Sequence, residues 1–343
     1  MNDLGKDIYF DTDSGYGKNY NPRLWISWQR HVRSRNLKTF LKANYYEIVI
    51  SGGRLQRYAK SLLRTIRIIY RERPSLLFIQ NPSLVLAGLA MVLRKILKLK
   101  VVMDAHNAGL RPVEGKFRLL QCVANVLVRN ADLVLVTNTL MAEQVIAIGG
   151  NAFILPDPLP SMKKSETGRD GSESESKFVV VAICSWAEDE PVKEILDAAK
   201  KFPSDAVLYC TGNPPQWAQK LVKKDLPTVV LTGFLSESDY VTMISQANCI
   251  IDLTNRDDCL VCGAYEAISV GVPFIVSDTS ASRELFQSVG VLTANTASGI
   301  VDSVQIVKRN EPEVRSDVAR FREVYGRGWQ DMLNNLELLL SEL

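Results

Sequence analysis

The sequence is poor in histidine, in paired cysteines and in long apolar runs, and each shortage excludes a class of protein. Its 343 residues include two histidines and six scattered cysteines. No apolar run reaches the ~18 residues that a membrane span requires, and the first residues lack the apolar core of a signal peptide. Scattered cysteines are typical of reduced thiols. The sequence therefore predicts a cytoplasmic protein.

The residues that could hold a metal ion are also few. Four cysteines fall in segments that we expect to be buried: Cys122, Cys184, Cys210 and Cys249. Cys259 and Cys262 have the spacing of a redox or zinc motif, but a structural zinc ion needs four ligands. Asp11 and Asp13 could hold a divalent cation, although a loop is the preferred interpretation. We expect no metal ion and no other cofactor.

The net charge of +3 is unevenly distributed along the chain. Residues 1–157 contain 23 lysines and arginines and 11 acidic residues, whereas residues 158–343 contain 18 and 27. A basic first half favours contact with an anionic surface or ligand. We expect that surface to be a membrane rather than nucleic acid.

Two basic segments carry much of this charge, and both are predicted to be helices. The first extends from Trp25 to Lys42 and either is a solvated face over buried tryptophans or binds a phosphate or lipid head group. The second extends from Arg54 to Arg71, and its apolar residues recur at helical spacing: Leu55, Leu62, Ile66 and Ile69. It is either a helix on anionic lipid or an ordinary crossover helix. The arginines that we assign to an acceptor or membrane surface are Arg30, Arg33, Arg35, Arg57 and Arg64.

Apolar strands alternate with helices along the whole chain, which is typical of an α/β fold with parallel sheets. We expect two Rossmann-like domains, over residues 1–157 and 178–310. A polar segment without periodicity, residues 158–177, is the predicted linker or mobile loop. Residues 311–343 are predicted to be helical, and they could cross back to the first domain.

The most informative stretch extends from Asp252 to Asp278. It reads as an apolar strand, a polar loop, a helix that starts near Cys262 and ends at Gly271, and a second apolar strand. Ligands of an open α/β sheet bind at the carboxyl ends of its strands, and helix N-termini there suit phosphate. Gly263 and Ala264 would let the backbone approach closely, and Glu266 could accept hydrogen bonds from a ribose. This pattern predicts a nucleotide site.

The same stretch resembles the donor-site signature of GT-B glycosyltransferases, in particular family 4 (glycosyl transferases group 1). An acidic residue, Asp258, is followed by seven others and Glu266, and then by Ala267, Gly271 and Pro273. The resemblance is good over about residues 178–295 and looser over 1–157. It implies a GT-B fold, with two Rossmann-like domains facing a cleft. It also implies that Glu266 holds the ribose of a nucleotide sugar and that Asp258 faces the transferred sugar.

Two departures from the family pattern concern the donor diphosphate. Family members usually have an arginine and a lysine where this sequence has Ser185 and Glu190. The charge of the diphosphate would then be neutralised by Arg256 and by the amides of Gly263 and Ala264, with Lys193 as a weaker candidate. The glycine-rich loop that often forms the acceptor site is also missing.

The resemblance assigns further residues. His106 would contact the donor sugar, and Asp104 would orient it or help to bind the acceptor. The turn at Gly233 and Phe234 could receive the nucleotide base, unless Phe234 is packed in the core.

The resemblance as a whole implies transfer of a sugar from a nucleotide sugar to a lipid-linked or polysaccharide acceptor. We expect retention of the anomeric configuration, through electrostatic stabilisation of the departing diphosphate. The expected setting is bacterial cell-surface glycan synthesis on the inner face of the plasma membrane. Three alternatives stay open: an inverting transferase with Asp104 as base, a non-catalytic GT-B partner subunit, and a nucleotide-sugar epimerase.

Overall fold

The computed structural model describes residues 8–10, 23–162 and 177–343, and the chain divides into two compact units. The first unit comprises Met1–Pro158 and Trp329–Leu343, and the second comprises Leu159–Gly328. The Asp11 and Asp13 pair and most of the predicted linker lie outside the described residues. No helix among the described residues is both long enough and apolar enough to span a membrane.

The first unit is built on one seven-stranded sheet. Its strands are β1 (Ile8–Phe10), β2 (Arg23–Ser27), β3 (Asn44–Ile48), β4 (Leu76–Asn81), β5 (Lys100–Ala105), β6 (Leu133–Val136) and β7 (Ala152–Ile154). Their order in the sheet is β1-β3-β2-β4-β5-β6-β7. β1 pairs antiparallel with β3, and the other neighbours are parallel.

The helices of the first unit cover this sheet and enclose a core of aliphatic side chains. They are α1 (Val32–Phe40), α2 (Arg54–Glu72), α3 (Leu84–Leu97), α4 (Asn107–Leu110), α5 (Arg118–Asn130) and α6 (Thr139–Ala147). All six residues of β4 are buried, because a parallel strand between two helical layers has no solvated face.

The second unit has six strands and its own apolar core. The strands are β8 (Phe178–Ala182), β9 (Ala206–Thr211), β10 (Val229–Gly233), β11 (Cys249–Asp252), β12 (Phe274–Ser277) and β13 (Val291–Thr293). The helices are α7 (Val192–Ala199), α8 (Gln216–Asp225), α9 (Glu237–Gln246), α10 (Cys262–Val270), α11 (Ser280–Phe286), α12 (Ala297–Arg309) and the first part of α13 (Glu311–Glu342), whose residues from Trp329 onward belong to the first unit. The sheet is parallel throughout, in the order β10-β9-β8-β11-β12-β13.

The predicted helix from Trp25 to Lys42 is wrong in its first part. Leu24, Trp25 and Ile26 belong to β2, where they are fully buried, and the helix begins only at Val32. β2 lies between β3 and β4, and Trp25 stacks on Phe78 of β4 with ring centroids 5.2 Å apart. A short apolar run buried on both faces carries no alternation to mark it as a strand.

One prediction of burial is also wrong, because Cys122 is exposed on α5. Leu55 is 87% exposed in the first turn of α2, and the buried residues of that helix are Ser61, Thr65, Ile68 and Ile69. The predicted βαβ unit is confirmed, since β11 and β12 pair in parallel and α10 between them ends at Gly271 with a φ of 74°. All six cysteines are free.

Candidate functional site

The candidate site of the second unit lies at the carboxyl edge of its sheet. The chain runs from β8 outward to β10 and then returns to the other side of β8 with β11. Such a reversal of strand order leaves a crevice at the carboxyl ends of the two central strands. The loops that follow β8 and β11 therefore flank the place where a ligand of this sheet would bind.

The start of α10 is fixed by Asp252, the last residue of β11. The Gly263 amide donates a hydrogen bond of 2.7 Å to Asp252 Oδ2. A Cβ atom on Gly263 would lie 2.5 Å from that oxygen and 2.7 Å from Ile183 Cδ1, so the position requires glycine. Burial raises the pKa of Asp252 well above its ordinary value, and the neighbouring Glu266 and Glu190 raise it further, against the Gly263 hydrogen bond.

Glu266 lies in the second turn of α10, where Tyr240 of α9 donates a hydrogen bond from its hydroxyl to Glu266 Oε2. Burial raises the pKa of Glu266, and the bond from Tyr240 offsets part of that rise. The bond also fixes the orientation of the carboxylate. A fixed carboxylate is suited to accept hydrogen bonds from sugar hydroxyls.

A cavity of about 350 Å³ is lined by Tyr240 of this pair and by Gly233, Phe234 and Cys184. Gly233 ends β10 with a φ of 70°. Phe234 is 86% exposed, so the alternative in which it packs in the core is wrong. An exposed aromatic ring at the mouth of a cavity can stack on a planar ligand.

The loop after β8 carries Ser185 and Glu190, the two positions that depart from the family pattern. Glu190 accepts hydrogen bonds from the amides of Ser185, at 3.0 Å, and of Trp186, at 2.8 Å. The Ser185 hydroxyl donates to it as well. A carboxylate therefore occupies the donors that this loop offers.

Arg256, the cation that we expected at the diphosphate, lies in the loop after β11. Its Nε is 3.1 Å from Asp189 Oδ2, and its side chain is 43% exposed. Asp258 lies two residues further on and is half-buried, and Ala264 is buried in the first turn of α10. The predicted donor residues from both loops are thus brought to one edge of the sheet.

The first unit has a buried polar cluster at the carboxyl end of β5. Arg33 of α1 donates from Nε to Asp104 Oδ1 at 2.9 Å and from Nη1 to Asp157 Oδ1 at 2.5 Å. Burial alone would raise the pKa of Asp104, but the attraction of Arg33 and His106 outweighs it and holds the pKa well below the ordinary value. Asp104 is fully buried and His106 Nε2 is 3.5 Å from its Oδ2.

Arg33 is 3% exposed, so its assignment to an acceptor or membrane surface is wrong. The side chain is instead the counter-ion of two carboxylates. Arg35 pairs with Glu47 at 2.7 Å and is 42% exposed. Arg30 is 79% exposed, Arg57 is exposed on α2, and Arg64 is half-buried.

Four residues of these clusters were missed by the sequence analysis. The ring of His31 lies 4.2 Å from that of His106, and burial, followed by the charge of His106, lowers its pKa to about 4. Tyr240, Asp157 and Asp252 were not assigned either. The sequence offers a signal only for Asp252, a polar residue at the end of an apolar strand, because the others meet their partners across long sequence separations.

Comparison with known proteins is consistent with this architecture. Residues 23–153 match the family described as a glycosyl transferase 4-like domain. A search of curated protein sequences found no match.

Solved structures share the fold over nearly the whole chain. Sucrose-phosphate synthase from Thermosynechococcus elongatus has a TM-score of 0.71 at 15% identity, covering 87% of this chain and 83% of its own. HepE of Anabaena, in complex with UDP and glucose, has a TM-score of 0.71 at 14% identity, covering 93% and 92%. The lipopolysaccharide outer core galactosyltransferase WaaB has a TM-score of 0.61 at 14% identity, covering 93% and 99%.

These comparisons confirm the predicted resemblance to glycosyltransferases and the predicted α/β fold of the GT-B type. Residues 23–153 match the model of a glycosyl transferase 4-like domain, and the chain as a whole has the GT-B fold.

Proposed function

We propose that this protein transfers a sugar from a nucleotide sugar to a glycan or lipid-linked acceptor. The observation that carries the proposal is the Glu266 carboxylate at the strand reversal of the second sheet. It is oriented by Tyr240, which itself lines a cavity of about 350 Å³. Glu266 would accept hydrogen bonds from the ribose, and Phe234 would stack on the base. Since the related HepE structure contains UDP, uridine nucleotides are the first to test.

The chemistry we propose is departure of the diphosphate with retention at the anomeric carbon, stabilised by preorganised donors rather than by a metal ion. Asp258 would face the sugar. The alternative in which Asp104 acts as a general base is disfavoured. A carboxylate that is fully buried and paired with Arg33 at 2.9 Å is a weak proton acceptor.

The proposed acceptor site faces an anionic membrane, with the protein on its cytoplasmic side. α3 and α5 expose several large apolar side chains beside lysines and arginines, which is the composition of an interfacial surface. The most exposed apolar residues are Val92 and Ile96 on α3, and Leu119, Val123 and Val126 on α5. Arg57, Lys60 and Arg67 are exposed on α2.

Transfer is tested by incubating the protein with UDP-, GDP- and ADP-sugars and a bacterial lipid extract. Release of nucleoside diphosphate together with a glycosylated lipid is expected for the wild type and is expected to fall at least tenfold in Glu266→Ala. Glu323→Ala, an exposed carboxylate of α13, is the matched control. NMR of the product gives the anomeric configuration, and inversion would contradict the retaining mechanism.

One observation favours a second function, that of a non-catalytic GT-B partner. Glu190 occupies a position where family members usually have a phosphate-binding lysine, and it accepts hydrogen bonds from the Ser185 and Trp186 amides of its own loop. A folded protein that releases nucleoside diphosphate from none of the donors would support this function. Conversion of the donor sugar without any acceptor would instead indicate an epimerase.

Membrane contact is tested by sedimentation with phosphatidylglycerol vesicles and with phosphatidylcholine vesicles. Each exposed basic residue near an anionic surface contributes about 1 kcal/mol. We therefore expect Arg57→Gln to weaken binding to the anionic vesicles about fivefold, and Val123→Ser with Val126→Ser to weaken it further. Arg309→Gln and Ile306→Ser, exposed on α12, serve as controls. Equal binding of all variants would contradict the proposed surface.

A further inference from the structure

The loop between β8 and α7 folds around the carboxylate of Glu190, one of its own residues. Glu190 receives hydrogen bonds from two consecutive amides, those of Ser185 and Trp186, and from the Ser185 hydroxyl. Its two oxygens share these donors, since the Ser185 amide lies 3.0 Å from each. Consecutive amides that converge on one point form an anion-binding nest, which is the arrangement that also holds phosphate oxygens.

The backbone of this nest is in a conformation that side chains disfavour. Trp186 has a φ of 63°, which places a bulky residue in the left-handed region, where its backbone is strained. Two contacts hold it there: its amide donates to Glu190 at 2.8 Å, and its indole Nε1 donates to the Thr211 carbonyl at 2.8 Å. The hydrogen bonds to Glu190 and to Thr211 of β9 therefore maintain the strained backbone of Trp186.

The nest lies where a ligand of the second sheet would cross the crevice. It follows β8, one of the two strands that flank the reversal of strand order. Cys184, the residue before the nest, lines the cavity of about 350 Å³ together with Tyr240. Trp186 and Glu190 of the nest line a second cavity, of about 410 Å³. A ligand that reaches from the first cavity to the second would therefore pass the nest.

We propose that Glu190 is an internal competitor of the donor diphosphate: its carboxylate occupies the Ser185 and Trp186 amides of the unliganded protein, and a phosphate group replaces it there when the donor binds. This inference rests on the proposed function, because it names the anion that exchanges with Glu190. Phosphate and carboxylate cannot share the nest, since two anions at contact distance repel each other strongly. The nearby Arg256 already has Asp189 as its partner at 3.1 Å.

The experiment compares anion binding by the wild type, Glu190→Gln and Glu188→Gln, with inorganic pyrophosphate, UDP, GDP and ADP as probes in calorimetry. Glutamine keeps the shape of the side chain and one oxygen that accepts from the amides, but it removes the competing charge. Glu188 lies two residues earlier in the same loop and is exposed, so its substitution controls for net charge. Uridine, guanosine and adenosine, which lack phosphate, control for the rest of the site.

We expect Glu190→Gln to bind pyrophosphate and the preferred nucleoside diphosphate about tenfold more tightly than the wild type. Glu188→Gln should differ less than about threefold, and the nucleosides should bind wild type and Glu190→Gln alike. Glu190→Ala, which empties the nest, should also gain affinity, provided that thermal melts show it folded. Unchanged or weaker phosphate binding by both Glu190 variants, or an equal gain in Glu188→Gln, would overturn the proposal.

Failure of this inference is distinguishable from failure of the proposed function. If nucleoside diphosphates bind the wild type and are lost in Glu266→Ala, the donor site stands whatever Glu190→Gln does. If pyrophosphate gains affinity in Glu190→Gln while no nucleoside diphosphate binds the wild type or the variant, the nest binds phosphate but the nucleotide assignment is wrong. If no probe binds any variant, both are wrong.

Discussion

Two buried ionisable groups of this protein, Asp104 and Asp252, are stabilised in opposite ways. Asp104 has a charged partner, because Arg33 donates to it at 2.9 Å. Asp252 instead accepts a hydrogen bond from the uncharged Gly263 amide at 2.7 Å. Its acidic neighbours disfavour its charged form. The first group therefore favours the folded state when it is ionised, and the second favours it when it is protonated.

Arg33→Met should strongly destabilise the first unit. The substitution leaves the Asp104 carboxylate buried without its counter-ion, and breaking a buried pair in this way costs about 3–5 kcal/mol. We expect the melting temperature to fall and to recover in part in the double variant Arg33→Met with Asp104→Asn. Lys116→Gln, from an exposed pair with Glu114, should change stability by less than about 1 kcal/mol. A mild effect of Arg33→Met would contradict this account of the cluster.

Asp252→Asn should make the protein more stable at alkaline pH and leave it unchanged in acid. The folded pKa of Asp252 is raised, so the stability of the wild type is complete below the unfolded pKa and is lost as pH rises through the folded pKa. Asparagine can still accept from the Gly263 amide and carries no charge. The expected gain is about 1–3 kcal/mol in urea unfolding at high pH, and it should vanish near pH 4. A loss of stability at high pH would refute the assignment.

Some residues of the candidate site could be predicted from the sequence and others could not, and the reason is physical. Asp258 and Glu266 lie in one continuous stretch, so their spacing was visible. Tyr240 reaches Glu266 across 26 residues, and only the packing of α9 against α10 brings them together. The role of Glu190 was also invisible, because it depends on the left-handed backbone at Trp186.

At the level of elements, local sequence patterns predicted a helix whose end is marked by a glycine. They failed for a strand that is buried on both faces, because its sequence shows no alternation of apolar and polar residues. α10 was predicted from its apolar run and its terminal Gly271, and it ends there. β2 was taken as the start of a helix, because Trp25 and Trp28 have helical spacing and the strand is too short to show alternation. Its neighbours in the sheet, β3 and β4, decide its conformation.

Glycine substitutions in two helices of the second unit should have opposite effects. Gly263→Ala places a Cβ within 2.5 Å of Asp252 Oδ2, and we expect a loss of about 1–3 kcal/mol from overpacking. Gly326→Ala lies in α13, where nothing lies within 4 Å of the added atom, and should gain about 0.5–1 kcal/mol from helix propensity. Denaturant unfolding of both variants measures the difference. Equal effects of the two would contradict the close approach of α10 to β11.

At the level of the whole molecule, the alternation of strands and helices was enough to predict two parallel sheets, and the GT-B fold is confirmed. The position of the strand reversal could not be read from the sequence, since strand order depends on contacts between distant segments. The structure places these reversals between β2 and β4 in the first sheet and between β8 and β11 in the second. The candidate residues group at the carboxyl edges of the sheets because they follow these strands or their neighbours. Asp104 and His106 lie at the end of β5, next to β4, and Ser185 and Asp258 follow β8 and β11.

We propose that the second unit binds a nucleotide sugar through Glu266. The most direct test is calorimetric titration of UDP, GDP and ADP into the wild type and Glu266→Ala, with Glu323→Ala as control. We expect one nucleotide to bind the wild type and the control alike and to lose at least tenfold in affinity in Glu266→Ala. Absence of binding by the folded wild type, or equal binding by Glu266→Ala, would contradict the account.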